Sequence, residues 1–248
     1  MAMTGTTLEP AASIGRALLV SDDETTIQQI TESTRQFAIS LEVRGELSAA
    51  LQQLKSHKFE AIIVDFRRRG RAQTILEEIP LTPSNASAIT FVISDNKEET
   101  KEAFSAGSRF VLERPLSADS INRTLKAAYG LIVRERRRYF RCPVAIPVAL
   151  RGNGIPETNG QAVNISEGGM ALGIPVPLRP GMQATITFRL PGIDAEFAPE
   201  STVCWHQEGV VGVKFSPLPP LQKSELQHWL GRQLEHSLPE SVAGKFRS

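Results

Sequence analysis

Residues 16–66, RALLVSDDETTIQQITESTRQFAISLEVRGELSAALQQLKSHKFEAIIVDF, decide the fold of the first half of the chain. Three short apolar runs, RALLVS, ISLEV and AIIVDF, alternate with two longer mixed segments, ETTIQQITESTRQF and ELSAALQQLKSHKF. Strands buried on both faces read as continuous apolar runs, and parallel strands need a crossover segment between them. The rhythm continues through an irregular arginine-rich stretch and ILEEI, the turn-rich LTPSNAS, and then ITFVIS, NKEETKEAFSAG, RFVLE and SADSINRTLKAAYGLIVRE. Five strands with five helices predict a small doubly wound parallel sheet over residues 15–130, of the α/β class.

After Arg141 the pattern changes. IPVALR, GQAVNIS, MALGIP, QATITFRL, AEFAPESTVCWH and VVGVKFS are short runs separated by Gly, Pro and Asn turns, which predicts an all-β barrel or sandwich over residues 142–237. In the tail LQKSELQHWLGRQLEH, Leu221, Leu226, Trp229, Leu230 and Leu234 fall near helical spacing, so a final helix is expected to pack on the β domain. Residues 1–14 read as a loose arm, and residues past Leu238 as disordered.

A chain of 248 residues accommodates two ordinary domains, and 41% apolar residues is enough for two cores. A formal net charge of +1 gives the whole molecule no strong field for nucleic acid or anionic lipid, so any electrostatic function must be local. A DNA-binding role would also need a recognition helix after a helical turn, whereas the C-terminal helix stands alone, and no DNA partner is expected. Cys142 and Cys204 lack metal-binding or redox spacing and sit among apolar neighbours, so both are expected reduced and buried. His206 and His228 lack ligand-spaced partners, and Trp205, on an apolar strand, is expected in the core. No apolar run is long enough to span a membrane and no secretory pattern opens the chain, which makes the cytoplasm the expected compartment.

Two clusters carry chemistry. In an open parallel sheet, ligands gather at the carboxyl ends of the strands. Asp22 and Asp23 follow the first strand, Asp65 closes the third, Ser94 ends the fourth, and Glu113–Arg114–Pro115 ends the fifth. Clustered carboxylates suit a hard cation such as Mg²⁺, and a carboxylate there could accept a phosphoryl group. Taken alone, Asp65 reads equally as a strand-end carboxylate capping the next turn.

With LLVSDDE, IIVDF, FVIS and ERP in these places, residues 16–130 resemble the receiver domain of two-component response regulators. The resemblance implies that Asp22, Asp23 and Asp65 hold Mg²⁺, that Asp65 accepts phosphate, and that Ser94 and Arg114 sense it. It also implies a histidine kinase or a downstream effector protein as partner. The family's lysine before the proline is Arg114 here, and the loop after Asp65 reads FRRRGR. The alternative is a receiver-shaped docking or dimerising domain, giving a homodimer or scaffold that works without phosphorylation.

The second cluster is RERRRYFR at residues 134–141, with five arginines in eight positions, followed by VNISEGGM. A solvated linker or a nucleic-acid patch are the plain readings of such a run. Arginine forks match phosphate oxygens and their planes stack on bases, while Asn164 and Ser166 offer short polar side chains and the glycines after them let backbone approach a ligand. Arg137 and Arg141 as RxxxR, with Asn164, Ser166 and Gly169 as NxSxxG, resemble the PilZ domain, a six-stranded antiparallel β-barrel family that binds cyclic di-GMP. The resemblance implies that Arg137 and Arg141 clamp phosphates and stack on guanine, that Asn164 and Ser166 bond the nucleotide, and that Arg136 helps when two intercalated ligands bind. Residues 131–141 form an arginine-rich junction between the domains, and Gly130 offers a point where the preceding helix can bend or end. A non-enzymatic signalling protein is expected, in which nucleotide binding reorients one domain against the other; the rival is a protein-interaction adaptor.

Overall fold

A computed structural model of the chain describes residues 13–152, 154–238 and 240. The expected arm, up to residue 12, and nearly all of the tail past Leu238 lie outside the described residues. The chain divides into two compact units, one ending at Arg136 and resuming at His236, the other spanning Arg137–Glu235.

The first unit is a five-stranded parallel sheet in the order β2-β1-β3-β4-β5, with β1 Gly15–Val20, β2 Ile39–Arg44, β3 Ala61–Asp65, β4 Ile89–Ser94 and β5 Phe110–Glu113. Helices α1 Glu24–Gln36, α2 Leu47–Ser56, α3 Arg69–Leu81, α4 Lys97–Ser105 and α5 Ala118–Tyr139 alternate with the strands. Because strand side chains alternate in direction, the sheet feeds two cores. Ala17, Leu19, Ile63, Phe91 and Ile93 meet Ile30 of α1 and Ile121, Leu125 and Ile132 of α5. Leu18, Val20, Ile62, Val64 and Val92 meet Leu54 of α2, Ile75 and Ile79 of α3 and Ala103 of α4. This is the doubly wound parallel sheet expected from the apolar runs, and it has the receiver-like form that the motif resemblance implies. The arginine-rich stretch is ordered where irregularity was expected: a short 3-10 turn over Phe66–Arg68 leads into α3. Helix α5 neither ends nor breaks at Gly130, and its 22 residues carry the helix through most of the expected junction, to Tyr139.

The second unit is antiparallel, with β6 Cys142–Gly152, β7 Ile155–Ser166, β8 Gly169–Gly173, β9 Gln183–Arg189, β10 Glu196–Phe197, β11 Glu200–Gln207 and β12 Val210–Phe215. The order is β10-β9-β11-β12-β8-β7-β6, and an additional β9–β6 pairing closes six strands into a barrel, leaving the two-residue β10 as a short flap on β9. Closure removes the sheet edges that would otherwise be exposed. Its core includes Ile146, Val148, Leu150, Ile165, Leu172, Ile186, Phe188, Phe197 and Val213. Helix α6, Pro220–Ser237, adds Leu226, Trp229 and Leu230 to this core, and Trp229 Nε1 donates to the Pro191 carbonyl at 3.0 Å. Leu221, expected on the packed face, is instead 72% exposed, because it sits in the first turn of α6.

Candidate functional site

The barrel carries a cavity of about 650 Å³, within the range typical of small-molecule sites. One wall comes from the end of α5 and the residues entering β6: Arg138, Tyr139 and Arg141. Another is the β7–β8 turn, where Ser166 donates from Oγ to the Gly169 carbonyl at 3.2 Å and fixes the loop. Gly169 is required there, since a Cβ would lie 2.1 Å from the Val213 carbonyl oxygen. Asn164 lines the cavity, and its Oδ1 is shielded with no hydrogen-bond partner among the described residues. A shielded polar oxygen left unpaired costs about 1–3 kcal/mol, so this atom calls for a donor from a ligand or water.

The third wall is β11 and β12, with Cys204, Trp205 and Lys214. Both Cys204 and Trp205 were expected in the core, and both are exposed, Trp205 by 46%. The cause is a bulge: β11 pairs Val203 with Val213 and then Trp205 with Gly212, so Cys204 has no partner of its own and the inward–outward alternation slips. The indole covers Gly212 so closely that a Cβ on Gly212 would lie 2.1 Å from its Cε2 and Nε1. A similar shift between Ala162 and Asn164 in the β7–β8 pairing falls beside Asn164, which also lines the cavity. Bulges were not legible in the run of residues, which is why this part of the site was missed.

Of the six expected ligand residues, Arg141, Asn164, Ser166 and Gly169 line one cavity, joined by Arg138. Arg137 and Arg136 do not line it. Arg137 lies against α6, with Cζ and Nε each 3.7 Å from where a Cβ on Gly231 would be. Arg136 belongs to the first unit, where its charge partly offsets the burial that raises the pKa of Glu60. Beside it, Glu135 is buried and its Oε1 accepts from Lys58 Nζ and Ser87 Oγ, both at 2.6 Å. His206 Nδ1 lies 3.2 Å from the Leu178 carbonyl and His228 Nδ1 3.2 Å from that of Ser224, which are packing roles.

The acidic cluster of the first unit assembles at the carboxyl ends of its strands. Asp65 Oδ2 accepts from Ser21 Oγ and from Arg114 Nη2, each at 2.8 Å, and Oδ1 accepts from the Arg67 amide at 3.1 Å, capping the turn that follows β3. Asp23 caps α1 through the Thr26 amide at 3.0 Å and hydroxyl at 2.5 Å, and these bonds hold its pKa below the ordinary value. Arg67 Nη1 lies 3.4 Å from Asp23 and its Nε 3.4 Å from Asp95, while Arg71 Nη1 lies 3.5 Å from Asp22. Ser94, fully buried, exchanges a 2.9 Å hydrogen bond with Thr100. Each carboxylate that Mg²⁺ would require therefore already faces a guanidinium, and among the described residues no group of three His, Cys, Asp or Glu has the arrangement of a metal site. The residues present do not fit the ion.

Residues 135–232 match the family model described as PilZ domain, so the second unit is a PilZ domain, fused here to a receiver-like domain. No curated protein matches the chain. Among solved structures, the chain is similar to CheY4, a chemotaxis response regulator of Vibrio cholerae, at 16% identity over 45% of this chain and 96% of that one, TM-score 0.42. The receiver domain of a Pseudomonas aeruginosa sensor histidine kinase, solved with magnesium in its cleft, matches at 17% identity over 47% and 98%, TM-score 0.41. The PilZ domain of CeSA from a cellulose-synthesizing bacterium matches at 21% identity over 38% and 94%, TM-score 0.30. Among the described residues no helix is long and apolar enough to cross a membrane.

Proposed function

We propose that the PilZ domain is a receptor for cyclic di-GMP and that α5 couples its occupancy to the receiver-like domain. The observation that carries the first part is the convergence of Arg138, Arg141, the unpaired Asn164 oxygen and the open face of Trp205 on one cavity. A cyclic dinucleotide presents phosphates for the guanidinium forks, base edges for Asn164 and flat purines for the indole and the arginine planes. Ser166 holds the turn, and its backbone and that of Gly169 keep the approach free of side chains.

The coupling rests on one helix carrying two sets of groups. Glu135 is tied to Lys58 and Ser87 of the first unit, and three residues later Arg138 lines the cavity of the second. Ligand bonds that reorder the end of α5 must act on the Glu135 anchor, and by linkage the anchor acts on affinity by the same factor. Domain limits near 15–130 and 142–237, with ligand residues starting inside α5, follow from the same reading.

Calorimetric titration of cyclic di-GMP into the full chain tests both parts. Binding is expected for the wild type, and Arg141→Ala is expected to weaken it by about 10- to 150-fold, the worth of a hydrogen bond to a charged group. Lys58→Ala is expected to change the affinity without touching the cavity. A folded wild type that binds nothing sinks the receptor reading, whereas binding indifferent to Lys58→Ala sinks only the coupling.

A further inference from the structure

We infer that the receiver-like domain is stapled by arginines in the place of a metal, so that Asp65 serves as a fixed ion-pair partner and neither Mg²⁺ nor a phosphoryl group enters the cluster. The inference is independent of the nucleotide reading of the barrel. Four aspartates, Asp22, Asp23, Asp65 and Asp95, face three guanidinia, those of Arg67, Arg71 and Arg114, which leaves one formal negative charge in excess. A divalent cation would turn this excess positive. It would also need near-octahedral oxygen ligands, and the carboxylates would have to release their arginines to supply them.

The arginines do the tethering that a cation would otherwise do. Arg114, from the end of β5, donates to Asp65 at the end of β3 and to Thr26 Oγ1 of α1 at 2.9 Å, and its Nη1 lies 3.6 Å from Asp95 beyond β4. Arg67 joins Asp23, before α1, to Asp95, and Arg71 joins Asp22 to the Gly45 carbonyl after β2. Every loop at this end of the sheet is thus held by a planar fork whose charge cannot be removed by pH, and such forks do not adapt to a compact ammonium's role. Both oxygens of Asp65 are engaged, and its side chain is only 6% exposed, against 10% for Arg114.

The experiment uses the full chain with Mg²⁺ and beryllofluoride, a mimic of the aspartyl phosphoryl group, read by calorimetry for the metal and by fluorine resonance for the mimic. The wild type is expected to show neither metal heat nor a bound fluorine signal, and its melting temperature is expected to be the same in Mg²⁺ and in chelator. Arg67→Gln/Arg71→Gln, with the single variants alongside should the double one misfold, is expected to bind Mg²⁺ at least about tenfold more tightly, because the repelling charges are gone. A wild type that takes up Mg²⁺ with the mimic overturns the inference. So does a folded variant that stays as unresponsive as the wild type, because arginine charge would then not be what excludes the ion.

Discussion

Trp205→Ala is expected to cripple ligand binding while leaving the barrel folded. The indole is 46% exposed at the cavity and lies outside the barrel core, so truncating it opens no core cavity, whereas a base stacked on it is worth about 1–3 kcal/mol. That range corresponds to about 5- to 150-fold in Kd. Gly212→Ala tests the same surface without deleting it. The new Cβ would lie 2.1 Å from the ring, and the ring, facing solvent, can yield by rotating away, so affinity is expected to fall in the same direction with a modest stability cost. Gly169→Ala is the contrasting control, because its Cβ would meet the Val213 backbone oxygen at 2.1 Å and backbone has nowhere to go. That variant is expected to lose the fold of the turn. Titration calorimetry gives the affinities, and tryptophan fluorescence separates the two indoles, since Trp229 is buried in the core and Trp205 alone faces ligand. Wild-type affinity in both Trp205→Ala and Gly212→Ala would refute the stacking argument, and unfolding of Trp205→Ala would refute the placement of the ring outside the core.

Cys204 is expected to react readily with a maleimide and to be protected by cyclic di-GMP, while Cys142, buried and with its thiol pKa raised by desolvation, stays inert in the folded chain; two reactive thiols, or no protection, would count against the cavity. Burial raises the pKa of Glu60 above its ordinary 4.5, so the unfolded chain gives up this proton first and stability falls as pH rises from about that value through the raised one. Glu60→Gln is expected to lack that decline, so the difference in melting temperature between variant and wild type should move in the variant's favour between acid and neutral pH; a pH-independent difference would contradict it.

The sheet of the first unit was legible because strands buried on both faces leave an unmistakable apolar signature, and the barrel because turn residues punctuate its strands at short intervals. What escaped was set by departures from period. One bulge at Cys204 turned two residues outward that alternation and hydrophobicity placed inside. The helical turn over Phe66–Arg68 and the arginine-rich start of α3 escaped as well, while the ILEEI part of that helix was read; the arginines there face carboxylates on other loops, which no local pattern displays. Likewise Arg137 and Arg138 are indistinguishable as letters, yet one hundred degrees of helical rotation separates them, and only Arg138 lines the cavity.

The chain therefore uses arginine in two opposite ways, and the difference lies in what surrounds it. At the receiver-like cluster the guanidinia of Arg67, Arg71 and Arg114 are each met by an aspartate, so their charge is spent within the fold and holds loops together. At the barrel, neither Arg138 nor Arg141 forms an ion pair among the described residues; Arg138 lies only over the Tyr139 ring, 6.0 Å from its centroid. Unpaired guanidinia at a cavity are what an anionic ligand needs, and salt weakens such contacts far more than it weakens buried pairs. Raising the ionic strength should thus loosen ligand binding at the barrel and screen the half-exposed Arg67 pairs of the receiver-like domain, while the buried Arg114–Asp65 pair is little affected. Charge of one kind is thus paired within the fold in one domain and, among the described residues, left without an ion pair beside a cavity in the other.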